Sequence, residues 1–99
     1  MNIGDATRGL FVPHLESTFQ VSAGGELVFE ATLIDVSPMG ETVGPNGRRP
    51  FSLVLRGPQD AAPAQAIYRV DHQELGAMDL FLVPIGPDDE GMKFEAVFT

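Results

Sequence analysis

Two histidines, four serines and one acidic run are the residues of this chain whose chemistry asks to be tested first. A zinc or iron site needs histidines close together with a carboxylate or an open position. His14 and His72 do not stand at ligand spacing, so each is expected to serve as a hydrogen-bonding residue. For His72 the setting is the polar turn Asp71-His72-Gln73-Glu74. The carboxylates of Asp88-Asp89-Glu90 are oxygen ligands of the kind calcium prefers, but they lack the spaced order of a calcium loop. With Gly86-Pro87 before them and Gly91 after, they read as a turn, where Asp bonds its own backbone and Gly accepts positive φ.

Gly44-Pro45-Asn46-Gly47-Arg48-Arg49 offers glycines and two cations but lacks the Lys-Ser/Thr ending of a phosphate loop. Arg48 and Arg49 are expected to pair with acids or to meet another protein, since Arg is enriched at interfaces. None of Ser17, Ser22, Ser37 and Ser52 sits in a Gly-x-Ser-x-Gly elbow, and there is no cysteine. Ser52 alternates with apolar neighbours and reads as an outward-facing strand residue. Glu30 and Glu95 are the carboxylates that would have to meet across strands for acid-base hydrolysis. No catalytic residue, metal or cofactor is expected, and the chain is read as a non-enzyme.

The elements that would position these residues are strands. Residues 26–37 place Leu27, Phe29, Ala31 and Leu33 on one face and Glu30 and Thr32 on the other, the period of a half-buried strand. Ala23-Gly24-Gly25 reads as a hairpin turn to residues 18–22, because two-residue hairpin loops demand positive φ. Residues 51–56, 66–71, 78–85 and 92–99 complete a set of six strands, with Gly and Pro between them. Pro84 argues that its strand ends there or lies at an edge. Residues 38–50 form one long loop. Residues 1–13 form an N-terminal arm anchored by Leu10, Phe11 and Val12, with room for a single helical turn before Pro13. The fold expected is all-β: a small antiparallel six-stranded barrel or sandwich with short connections and one long loop.

Composition bounds the rest. The chain has 99 residues, 43% hydrophobic and 20% charged, which suits one globular domain over 1–99. Fourteen acids against six basic residues give a net charge of -8, which repels a nucleic-acid backbone and favours solubility or a basic partner surface. No apolar run approaches a bilayer span, and the first residues carry no secretory pattern. Residence in a cytoplasm is therefore expected, with incorporation into a phage-like or extracellular assembly as a further option.

The strands carry more apolar residues than one interior accepts. Val28, Ile34, Val36, Val54, Ile67, Phe81, Val83 and Val97 fall on the second face. They must lie under residues 38–50 and the arm, or face another subunit, since a contiguous apolar patch marks an interface. Arg48, Arg49, Ile67, Phe81, Val83 and Val97 are the candidate interface residues.

The carboxy-terminal half carries Arg49-Pro50-Phe51-Ser52-Leu53-Val54-Leu55-Arg56-Gly57-Pro58, then Ile67-Tyr68-Arg69-Val70, His72 and Leu75-Gly76. Leu80-Phe81-Leu82-Val83-Pro84-Ile85-Gly86 and Glu95-Ala96-Val97-Phe98 follow. This string resembles a family of uncharacterised bacterial domains of similar length, often encoded near phage tail collar-like proteins. The resemblance implies a genetic setting and transfers no site residue. The function expected is a structural or protein-interaction module, through self-association or a phage-tail-like partner. A barrel binding a small molecule or sugar is the alternative, and a carboxylate-dependent hydrolase comes last.

Overall fold

The computed structural model describes residues 6–40, 42–45, 47–61 and 64–99. Six strands follow one helical turn: α1 (Arg8–Phe11), a 3-10 turn (Val12–His14), β1 (Thr18–Ala23), β2 (Glu26–Pro38), β3 (Phe51–Gly57), β4 (Ala66–His72), β5 (Gly76–Pro87) and β6 (Met92–Phe98). They close into an antiparallel barrel in the order β1-β2-β3-β6-β5-β4. The expected choice between barrel and sandwich resolves as the barrel. No described helix is long and apolar enough to cross a membrane.

The order makes two three-stranded meanders, β1-β2-β3 and β4-β5-β6. β3 ends and β4 begins at the same mouth of the barrel, on opposite sides of it. Because every neighbour is antiparallel, that far mouth also holds the Gly24-Gly25 turn and the turn over 88–91. The near mouth holds α1, the described residues between β2 and β3, the turn over 73–75 and Thr99. Gly24 and Gly25 have φ of 60° and 80°, the positive values a tight hairpin demands.

Phe11, Phe19, Phe51, Phe94, Leu33, Leu53, Leu55, Leu82, Val21 and Val70 are fully buried and fill the interior. The rings gather at the two ends. Phe51 and Phe98 stack at 4.6 Å, with Phe11 tilted against both, at the near mouth. Phe29 stacks on Phe94 at 5.1 Å toward the far mouth. Helix α1 is therefore a plug whose Phe11 enters the core. It does not cover the outer face, one of the two readings open for the apolar residues there, and Val12 stays exposed. Residues 1–5 of the arm lie outside the described residues.

Three bulges change the alternation read from sequence. In β2, Val21 faces Phe29 and Ser22 faces Leu27, so Val28 is an extra residue. Leu27 is thereby turned out, and its side chain is 60% exposed instead of lying in the core. Ile34 is the second extra residue, between the Leu33↔Leu55 and Asp35↔Val54 pairs. Val36 then faces Leu53 and packs against the core, not on the outer face. Ile85 is the third. It lets β5 run through Pro84 to Pro87 instead of ending at Ile85, because a bulge removes the need for a ladder N–H that proline lacks. Ser52, read as outward-facing, does lie on the outer wall, where it is buried between its Ser37 and Val97 partners.

Candidate functional site

The near mouth brings the two histidines together. β4 ends at His72 and the 3-10 turn at His14, and their rings meet edge to face at 4.6 Å. His72 is buried, with Phe19 on its other side at 4.6 Å. Its Nδ1 accepts the Glu74 and Leu75 backbone N–H groups at 3.0 and 3.2 Å. A nitrogen that accepts twice carries no proton, so the ring proton sits on Nε2. Nε2 donates to Ser17 Oγ at 3.0 Å, and Ser17 passes its own proton to the His14 carbonyl at 2.5 Å. Burial lowers the pKa of His72, the positive charge of His14 lowers it further, and Glu74 opposes both.

That proton order decides the chemistry. A serine nucleophile needs its histidine to accept the hydroxyl proton. Here the nitrogen facing Ser17 is a donor and the other is held as an acceptor by two amides. The Ser17–His72 pair therefore fixes the turn after β4 and docks the segment around Ser17. His14 reaches Glu74 at 3.9 Å, but no group of three acidic or histidine side chains among the described residues is arranged to hold a metal.

The far mouth has its own polar knot. Asp88 Oδ1 accepts the Glu90 and Gly91 N–H groups, both at 2.9 Å, the local bonding expected of a turn. Asp88 Oδ2 accepts from Arg56 at 2.9 and 2.5 Å, and Arg56 also meets Glu90 at 2.9 Å. The Arg56 hydrogen bond, with the turn amides, lowers the Asp88 carboxyl to about 2. Glu30 and Glu95 do not meet. Glu30 faces Gln20, and Glu95 faces Val54 and Val83, with β3 standing between their strands.

Arg48 and Arg49 point to different tasks. Arg48 Nη1 donates to the Ala6 carbonyl at 2.9 Å and Nε to the Thr99 carbonyl at 3.2 Å, with its guanidinium over the Phe98 ring. It clips the long loop to both ends of the fold. Arg49 is exposed and lines a cavity of about 340 Å³ with Arg8, Pro38, Gly40, Pro50 and Phe51.

The outer wall of β4, β5 and β6 carries the remaining candidates. Ile67, Phe81 and Val97 are 69%, 52% and 50% exposed, and Val83 is half-buried. Ile67 and Phe81 are cross-strand partners. Phe81 and Val97 share a shallow cavity of about 260 Å³. The β5–β6 ladder runs from Val83↔Glu95 to Pro87↔Met92, so β5 and β6 part beside Phe81 and Val97. Sequence reasoning found these apolar residues but not the parted seam. It also missed Arg8 and the meeting of His14 with His72, for which only the chain path supplies a signal.

No curated protein and no solved structure matches the chain. One family profile does, over residues 6–98, which takes in all six strands of the barrel. The chain belongs to the family described as Domain of unknown function (DUF6916).

Proposed function

We propose that this barrel is a non-catalytic protein-interaction module that associates with a second copy through the outer wall of β4, β5 and β6. The observation that carries the reading is the contiguous exposed group Ile67, Phe81 and Val97 beside the parted β5–β6 seam. An exposed apolar cluster of this kind gains by being covered. Parted strands offer backbone groups to which an added strand can bond. The filled interior leaves the alternative, a ligand held inside the barrel, without comparable support. A place as a subunit or accessory of a phage-tail-derived assembly fits a small module of this kind and rests on the resemblance noted above.

The test is solution mass by size-exclusion chromatography with light scattering, over a concentration series at low and high salt. The net charge of -8 opposes self-association, so mass rises with concentration and rises further as salt screens the repulsion. Phe81→Glu holds the protein monomeric while leaving its melting temperature unchanged. A wild-type monomer at every concentration and salt, with the Phe81→Glu variant indistinguishable from it, refutes self-association through this wall.

A further inference from the structure

We infer that the cavity between Arg8 and Arg49 at the near mouth binds a carboxylate borne on an apolar group. Six basic residues stand among fourteen acids in this chain, and what holds each of them differs. Arg56 is held by Asp88 and Glu90, and Arg69 by Asp71. Arg48 is held by backbone carbonyls. The side chains of Arg8 and Arg49 have no ion-pair or hydrogen-bond partner among the described residues, and both line the same cavity of about 340 Å³. Two like charges sharing one opening, with no acid among the described residues that line it, are relieved by an anion placed there. Guanidinium groups present paired N–H donors that match a carboxylate.

The floor supplies the second half of the recognition. Pro38, Pro50 and Phe51 line it with apolar surface. This floor is anchored. Pro38 pairs with Phe51 at the start of β3, the Met39 N–H donates to the Pro50 carbonyl at 2.9 Å, and Phe51 stacks on Phe98. The volume lies at the small end of the range for ligand cavities. It suits a small planar acid, or one acidic residue next to an apolar one in a peptide.

The experiment is an amide chemical-shift titration of the whole chain. The probes are phenylacetate, its neutral relative 2-phenylethanol, inorganic phosphate, and a blocked Phe-Glu dipeptide. Phenylacetate is expected to move the amides of Arg8, Gly40, Arg49 and Phe51 along one saturable curve. 2-Phenylethanol produces no such curve, and inorganic phosphate, lacking the apolar part, binds more weakly than phenylacetate. Arg8→Gln and Arg49→Gln each weaken phenylacetate by about fivefold, the scale of one exposed charge contact, and together abolish saturation. Both arginines are exposed, so an unchanged amide spectrum away from the cavity certifies the fold. Tighter binding of the dipeptide than of phenylacetate names a peptide as the source; the reverse names a free acid. Shifts that spread equally to Arg69 and Lys93, survive the double variant, or are equalled by inorganic phosphate overturn the inference.

Discussion

Replacing His72 tests the proton order at the near mouth. Its imidazole holds two turn amides on Nδ1 and one hydroxyl on Nε2. At about 1 kcal/mol for each hydrogen bond, His72→Ala loses about 3 kcal/mol, and the lost packing against Phe19 brings the total to about 4 kcal/mol. His72→Asn separates the two roles. An Asn side-chain oxygen accepts the N–H groups two and three residues on, as in Asx turns. It therefore restores the two turn bonds, about 2 kcal/mol, and loses the bond to Ser17. Urea unfolding at pH 7.5 reads the three proteins. Acid reads them a second time. His72 has a lowered pKa in the fold, so the unfolded chain binds the extra proton first. The contribution is fully present above the unfolded value of about 6.5 and is lost as pH falls through the folded value. His72→Asn lacks the titrating group, and its stability should fall less between pH 7 and pH 5. The reasoning fails if His72→Asn is no more stable than His72→Ala at pH 7.5. It fails equally if the acid loss is as steep in His72→Asn as in the wild type.

Three further outcomes follow from the far mouth and the clip. Asp88→Asn keeps an oxygen for the Glu90 and Gly91 amides but loses the Arg56 pair. It should melt below the wild type at pH 7. Because Asp88 is lowered to about 2 in the fold, that gap should close as acid titrations approach pH 2. Gly91→Ala sets a Cβ against the Gly57 carbonyl oxygen, which is backbone in β3 and has no way to yield. A loss of about 3 kcal/mol or more in denaturant unfolding is expected, whereas Gly9→Ala meets open space and should stay within about 0.5 kcal/mol apart from helix propensity. Arg48→Gln releases the Ala6 and Thr99 carbonyls, so hydrogen exchange should quicken at Gly44 and Gly47, with β1 unchanged.

The strands were legible because their inward residues repeat every second position and glycines and prolines stand between them. What alternation did not reveal is where it breaks. Val28, Ile34 and Ile85 look like ordinary strand residues, and only their partners across the ladder show that each is supernumerary. Leu27, Val36 and Pro84 were misplaced for that one reason. Ile67, Phe81 and Val97 were placed correctly on the outer wall because no bulge interrupts β4, the paired stretch of β5 before Pro84, or β6 against β3. His14 and Ser17 meet His72 across more than fifty residues, a proximity set by closure between β1 and β4. The divergence of Arg48 from Arg49 was equally hidden, since both stand in one glycine-rich run and only the position of Thr99 separates them.

One guanidinium holds both Ala6 and Thr99, so the beginning and the end of the barrel are neighbours at one mouth. The Gly24-Gly25 hairpin and the Asp88 turn lie at the opposite mouth. The same adjacency makes the fold open to circular permutation. Bridging Ala6 to Thr99 and cutting within the link over 58–65 leaves each three-stranded meander unbroken, and merely exchanges which of them is made first.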